Sequence, residues 1–505
     1  MTSPPRARAP GIPFLFWAAL PVLAAGWLRL RGLGTLEPFV DEGANILTAL
    51  DLRVRTVFEP LEQGRPWLVY LFRPAGWFPT EALVVARLMS AGAGLLTMTA
   101  LGWTLHRLGG RRAALAGLWL WAVLPFAVWH ERLALQDPFV TTLLAGSLAL
   151  LGAGLPAGRR WAWLGAGGLF GAAFLLKISA VLALPWLGVV YVAHQRLQAR
   201  PVFDRRLWLI PLGALLPVLT LGGDLARLGA KLGRYDALPS VAHGGFLGSA
   251  LERLATWLGW YSGYGGWPLL LLLAGALVLA ARGRQWLAFA CAAAWAVSLL
   301  VAALLYNNTY ARYALPDHLP LLLGLALAWG ATPAAASRWR SGGLVLFAVA
   351  LVRWGLVSWG IGTDPRTAAV PAGEIAQYVT GPWSGRGLAE TRRFLADYAD
   401  QHQVRCLVLT HRFLRPGCYG LLLAELGDPR IGVVPFTVYE PVELAVAGDG
   451  LRHVSTGTPV ACFILYEGSL YPAHPWLAAP GSPARLVQTI DRGAGETFSL
   501  WQFQP

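Results

Sequence analysis

Two adjacent carboxylates, Asp41 and Glu42, stand in the stretch Pro38-Phe-Val-Asp-Glu-Gly-Ala44, just past the first long apolar run of the chain. A carboxylate beside a bilayer is costly to desolvate and is kept mainly where it acts. The chemistry such a pair offers is removal of a proton from an attacking hydroxyl. Other ionisable residues recur in short breaks between apolar runs: His130, Glu131, Arg132 and Asp137 in one, Lys177 in Leu175-Leu-Lys-Ile-Ser179, Arg312 with Tyr313 in Tyr310-Ala-Arg-Tyr-Ala-Leu-Pro316, and Arg65 in Gly64-Arg-Pro-Trp67. Carboxylates of this kind suit proton work, and the cations suit an anionic headgroup. Each also has a plainer reading. Lys177 could snorkel to the interface, Arg132 could pair with Asp137, Arg312 could anchor lipid headgroups, and His130 beside Trp129 could be an interfacial histidine. No His, Asp, Glu or Cys spacing matches a defined metal site, so no metal or other cofactor is expected; a divalent metal is not indicated.

The elements that must position these residues are transmembrane helices. The chain has 505 residues, 56% of them hydrophobic and 13% charged, against roughly 25% charged in soluble proteins. Lysine occurs only at 177 and 231, so arginine supplies the rest of the 41 basic residues. With abundant Ala, Gly, Leu and Pro, this suggests a GC-rich bacterial genome. The net charge of +14 does not mark a nucleic-acid binder, because the basic residues are scattered between apolar runs and form no stripe.

A helix needs about 20 apolar residues to cross a bilayer. On that measure about eleven spans are expected, centred near Leu20, Leu95, Leu120, Leu148, Leu169, Leu187, Leu215, Leu273, Ala294, Leu325 and Leu351. With Arg6 and Arg8 cytoplasmic, the even-numbered turns carry Arg107-Arg111-Arg112, Arg159-Arg160, Arg196-Arg200-Arg205-Arg206, Arg282-Arg284 and Arg338-Arg340, a positive-inside bias. Of the acidic residues only Asp204 falls on that side. The bias is incomplete, since Arg53, Arg55, Arg65, Arg73 and Arg87 lie in outer loops. All the candidate chemistry then gathers at the extracytoplasmic face.

An odd number of spans leaves the C-terminus outside. Residues 1–362 read as the transmembrane domain, with the Asp-Glu motif in a first outer loop of about 31–81. Residues 363–505 read as a small extracytoplasmic α/β domain, long enough at about 140 residues to fold alone. Its expected helices are 390–400 and 419–426, and its expected strands 404–409, 431–436, 460–466, 486–490 and 498–503. Cys406 and Cys418 could pair there if that part is outside.

The chain resembles the GT-C membrane glycosyltransferases that use polyprenyl-phosphate sugars, a group with protein O-mannosyltransferases (glycosyltransferase family 39-like) and the lipid A aminoarabinose transferase. The resemblance runs over most of the first 330 residues. It rests on Asp41-Glu42, Gly64-Arg-Pro-Trp67, Ala86-Arg-Leu-Met-Ser-Ala-Gly-Ala-Gly94, Leu124-Pro-Phe-Ala-Val-Trp-His-Glu-Arg132 with Asp137 following, and Arg312-Tyr-Ala-Leu-Pro316. It implies a polytopic enzyme of the bacterial plasma membrane. That enzyme would move a sugar from a polyprenyl-phosphate donor to an extracytoplasmic hydroxyl of a lipid, glycan or protein, with inversion. Asp41 would be the base, with Glu42 beside it and Asp137 the second acid. Lys177, Arg312, Arg132, Arg65 and Tyr313 would hold the lipid phosphate or donor. The chain departs from the group in having Arg65-Pro66-Trp67 where aminoarabinose transferases carry a Lys-Pro-Pro-like element. It also lacks the β-trefoil insertion of eukaryotic protein mannosyltransferases.

The alternative is a transporter or flippase of lipid-linked sugars. Transporters often carry internal repeats and broken helices at the bilayer midplane. The sequence has no repeat, and its charges sit at one face.

Overall fold

The computed structural model describes residues 12–50, 65, 67–157, 159–224, 245–283, 285–305, 310–330, 337–411, 416–436, 459–467, 480, 482, 484–493 and 495–503. Arg6, Arg8, Arg53, Arg55, Gly64, Pro66 and Arg284, used in the sequence reading, lie outside these residues.

Helices run through the apolar stretches in chain order: α1 (Ile12–Leu30), α2 (Val40–Leu50), α3 (Ala82–Val123), α4 (Pro125–Glu131), α5 (Asp137–Ala157), α6 (Arg160–Leu176), α7 (Leu184–Leu197), α8 (Leu209–Val218), α9 (Gly245–Arg282), α10 (Trp286–Leu305), α11 (His318–Gly330) and α12 (Ser337–Thr363). Among the described residues five helical stretches are long and apolar enough to cross a membrane: Pro79–Val123, Ile178–Leu197, Gly248–Arg282, Trp286–Leu304 and Gly342–Thr363. Phe14–Leu30, Asp137–Gly152 and His318–Gly330 are shorter apolar helices.

Two of the long helices are interrupted by glycine. Gly110 in α3 has φ +79° and Gly266 in α9 has φ +59°. These left-handed conformations suit a residue without Cβ. The break at Gly110, beside Arg111-Arg112, turns the chain back on itself, with Leu118 against Gly102 and Leu105 against Gly117, so the apolar runs centred near Leu95 and Leu120 are two helices within the α3 range.

The chain divides into two compact units. One comprises residues 1–32, 60–67 and 88–370, the other 33–59, 68–87 and 371–505. This differs from a single boundary after residue 362, because much of the first outer loop folds with the C-terminal part.

In the first unit, α6 and α8 approach at backbone distance. A Cβ on Gly167 would come within 2.0 Å of the Ile210 carbonyl, and one on Gly171 within 2.2 Å of the Ala214 carbonyl. Glycines four apart thus make a flat helix face, the small-residue packing that membrane helices use where water gives no hydrophobic drive. A buried ion pair joins Arg29 of α1 to Glu131 of α4. Arg29 also donates to the Ala122 (2.9 Å) and Trp121 (3.1 Å) carbonyls, and the Trp121 indole donates to Glu131 (3.1 Å). Gly94 leaves room for this carboxylate, since a Cβ there would overlap it.

The second unit carries α13 (Leu388–His402), β1 (Arg405–His411), α14 (Pro416–Glu425), β2 (Ile431–Phe436), β3 (Val460–Glu467), β4 (Ala484–Gly493) and β5 (Glu496–Phe503). The sheet order is β2-β1-β3-β5-β4. β1 pairs in parallel with both neighbours, Leu407 opposite Gly432 and Cys462, while β3–β5 and β4–β5 are antiparallel. Leu409, Cys462, Ile464, Tyr466, Ala484 and Phe503 form a core cluster. α13 lays down Leu388, Thr391, Leu395 and Ala399 as its buried stripe, the helical period of an amphipathic face. Cys406 and Cys418 are both buried and are not joined in a disulfide; the Cys406 thiol donates to the Leu395 carbonyl at 3.3 Å.

The first-loop segments are tied into this unit by their own polar groups. Glu37 accepts the N–H groups of Gly387 (3.0 Å) and Ala389 (2.6 Å) at the start of α13, where a helix N-terminus favours a carboxylate. The Val40 N–H donates to the Trp383 carbonyl at 3.1 Å. Gly43 lies against α14, so that a Cβ would come within 2.6 Å of the Tyr419 Cβ.

Candidate active site

Asp41 and Glu42 occupy the first turn of α2, where acidic side chains suit the positive end of the helix dipole. Their environments differ. Glu42 is fully buried, and both its oxygens are bound. Arg87 donates through Nε to Oε1 and through Nη2 to Oε2, each at 2.7 Å, and the Phe39 N–H donates to Oε2 at 3.0 Å. Arg87 also donates to the carbonyls of Leu33 (2.6 Å) and Leu36 (2.7 Å). A bidentate Arg–carboxylate fork fixes direction as well as charge. Glu42 is thereby fixed in the first-loop segment. Asp41 is only half-buried.

The first unit holds a second constellation. Asp137 opens α5. Lys177 sits where α6 stops, in an extended residue (φ −159°, ψ 116°) before the 3₁₀ turn Ile178–Ala183. The Lys177 ammonium donates to Asp137 Oδ1 at 2.6 Å and lies 3.9 Å from the centre of the Tyr313 ring. Arg312, in the 3₁₀ turn Ala311–Ala314, faces the Tyr310 and Tyr313 rings at 4.9 and 5.6 Å. Asp137, Lys177 and Arg312 are all buried. Burial pushes Lys177 down to about 8; Asp137 opposes that shift, while Arg312 and Arg65 add to it. Arg65 is thus within electrostatic reach of Lys177. The neighbouring Trp67 is fixed by its N–H to the Leu175 carbonyl (3.1 Å) and its indole to Thr220 Oγ1 (3.1 Å).

Asp137, Lys177 and Tyr313 border a small cleft of about 20 Å³, whose polar lining is completed by Ser179, Ser298 and Asp317 and whose remaining wall is apolar; Arg312 stands beside it against the Tyr313 ring. Cations on such a cleft can hold a phosphate, because charge-assisted bonds strengthen where water is sparse. Among the described residues no group of three His, Cys, Asp or Glu side chains is arranged to hold a metal ion.

Arg132 is held by backbone carbonyls. Its Nη1 donates to the carbonyls of Leu28 (3.0 Å), Arg29 (3.3 Å) and Arg31, and its Nη2 to Gly32 (3.0 Å). A guanidinium at this place satisfies the carbonyls that end α1. The Arg132–Asp137 pair considered from sequence is replaced by Lys177–Asp137. Sequence reasoning missed Ser298 and Asp317. The available signal was an acid directly after Arg312-Tyr-Ala-Leu-Pro316, at the mouth of an otherwise apolar helix.

Residues 78–221 match the family model of dolichyl-phosphate-mannose-protein mannosyltransferases. No curated protein matches the chain by sequence. Among solved structures the chain is similar to ArnT from Cupriavidus metallidurans bound to undecaprenyl phosphate, with a TM-score of 0.59 at 14% identity over 96% of this chain and 97% of that one. The apo state of the same protein gives 0.52 at 14% identity over the same shares. The Archaeoglobus fulgidus oligosaccharyltransferase in complex with zinc and sulfate gives 0.51 at 14% identity, over 92% of this chain and 70% of that chain. The fold is the GT-C fold of these membrane proteins.

Proposed function

We propose that this GT-C chain is a membrane glycosyltransferase that moves a sugar from a polyprenyl-phosphate donor to an extracytoplasmic hydroxyl of a lipid, glycan or protein. The observation that carries the reading is the buried Asp137–Lys177–Tyr313 cluster bordering a small cleft at the ends of apolar helices, with Arg312 against the Tyr313 ring. The family match and the fold support it. In this reading the acceptor oxygen attacks the anomeric carbon, the bond from that carbon to the phosphate oxygen breaks, and polyprenyl phosphate leaves. Asp41 takes the acceptor proton. Lys177, held in place by Asp137, and Arg312, backed by two tyrosine rings, stabilise the charge that grows on the leaving phosphate. Direct displacement inverts the anomeric centre. The reading is tested by release of labelled sugar from undecaprenyl-phosphate sugars by purified protein in detergent. Mass spectrometry of envelope lipids from a deletion strain would identify the acceptor. No release from any donor in the presence of envelope lipids would overturn it.

The site's sidedness rests on topology. A periplasm-active reporter fused after Pro505 is expected to be active, and one fused after Arg282 inactive. The reverse pattern would place the cluster on the cytoplasmic side and remove the reading.

Arg312→Ala is expected to lower kcat/KM for the lipid donor by roughly 10- to 150-fold, the worth of one charge-assisted hydrogen bond at about 1.5–3 kcal/mol. If the contact tightens as the phosphate leaves, kcat falls too. Arg312→Lys should recover only part, because an ammonium replaces a planar fork. Lys177→Ala should behave similarly, and the double variant should be non-additive if both touch one phosphate. Normal donor kinetics in both single variants would make these residues interfacial anchors.

A further inference from the structure

The cleft holds an acid that the phosphate chemistry does not use. Asp317 stands between the Arg312 turn and α11, and it is 8% exposed. Its Oδ1 accepts the Ser298 hydroxyl of α10 at 2.5 Å. Its other carboxylate oxygen takes no hydrogen bond from any described residue, and Asp317 makes no ion pair among them. Both Asp317 and Ser298 line the same cleft as Asp137, Lys177 and Tyr313.

A buried carboxylate with one neutral hydrogen bond is expensive. It is also out of place in a cleft whose lysine would take an anion, since a phosphate against it would be repelled. The arrangement is favourable when the group meeting Asp317 is a hydrogen-bond donor carried by the same ligand. A sugar on a phosphate is such a ligand: its anionic end meets Lys177 and Arg312, and its O–H or N–H groups meet a carboxylate already aimed by Ser298. A site built around such a hydrogen bond rejects analogues that lack the donor, because its own polar group is then left unpaired.

From this we infer that Asp317, oriented by Ser298, is a specificity-determining residue that reads a hydroxyl or amine of the sugar being transferred. The inference rests on the proposed donor class.

The test compares binding of three probes to the full-length protein in nanodiscs: undecaprenyl phosphate, undecaprenyl-phosphate mannose and undecaprenyl-phosphate aminoarabinose. Wild type is expected to bind at least one sugar-bearing lipid more tightly than the bare lipid. Asp317→Asn, nearly isosteric, should weaken that sugar-bearing lipid by about 10- to 100-fold, as expected for a charge-assisted hydrogen bond. It should leave bare undecaprenyl phosphate within about twofold. A larger loss for the amino sugar assigns Asp317 to an ammonium, and an equal loss assigns it to a hydroxyl. Ser298→Ala, which removes only the aiming hydrogen bond, should give the same pattern in weaker form and covers the case in which Asp317→Asn does not fold. The inference is overturned if the variants bind all three lipids as wild type does, or lose the bare lipid and the sugar lipids equally. Failure of wild type to bind any of the three would overturn the donor class itself, a result distinct from those two.

Discussion

Asp41→Asn is expected to lower turnover in sugar transfer by 10²- to 10⁴-fold, the usual worth of a positioned general base, while the lipid donor still binds. The substitution keeps the size of the side chain and removes its basicity. The surroundings should hold their shape, because three neighbouring residues fix this loop. Glu42 is locked on Arg87, Glu37 receives two N–H groups at the start of α13, and Gly43 lies against Tyr419. The measurement is single-turnover transfer at saturating acceptor, paired with equilibrium binding of undecaprenyl phosphate. A fall in turnover with unchanged lipid affinity identifies a residue acting on the acceptor. Turnover within a few-fold of wild type would remove Asp41 from the reaction, and equal loss of lipid binding would assign it to the donor side.

The apolar helices were legible because hydropathy is a one-dimensional property. A helix passes through each centre from Leu20 to Leu351, and the breaks fall where charges, Gly or Pro interrupt the run. Length was less legible. Where one helix ends and the next begins depends on a single φ value, as at Gly110 and Gly266. In the second unit the short apolar runs stand out from polar surroundings, and strands occupy 405–411, 431–436, 460–467, 484–493 and 496–503. Membership of the units was hidden, because it depends on Glu37 meeting N–H groups 350 residues away.

At the site, sequence identified charges standing in apolar surroundings but not their partners. Lys177 stood out as one of two lysines, in an apolar run, yet its bond to Asp137 spans 40 residues. Arg132 and Arg312 look alike in sequence, each in a short break between apolar runs. One spends its guanidinium on the carbonyls ending α1, and the other lies over tyrosine rings in the Lys177 cluster. The motif around Ala86–Gly94 resisted a chemical reading for a similar reason. Its Arg87 serves Glu42, and its Gly94 makes space for Glu131. Both roles are structural and become visible only when distant elements meet.

The Glu42–Arg87 pair gives the second large effect, on stability. Both side chains are essentially excluded from solvent, so removing one charge strands the other in a low-dielectric interior. Breaking a buried pair in this way costs about 3–5 kcal/mol. Glu42→Gln and Arg87→Met should each lower the melting temperature of the detergent-solubilised protein and raise proteolysis of the first-loop segment. The double variant Glu42→Leu with Arg87→Met leaves no uncompensated charge and should recover part of the loss. Recovery stays partial because Arg87 also serves the Leu33 and Leu36 carbonyls. Activity then separates two roles for Glu42. If it only holds Asp41 in place, folded double variant should transfer sugar within roughly tenfold of wild type, or about 1.4 kcal/mol. If its carboxylate takes part in the reaction, the double variant should fall 10²-fold or more however well it folds, because no apolar replacement can accept a proton.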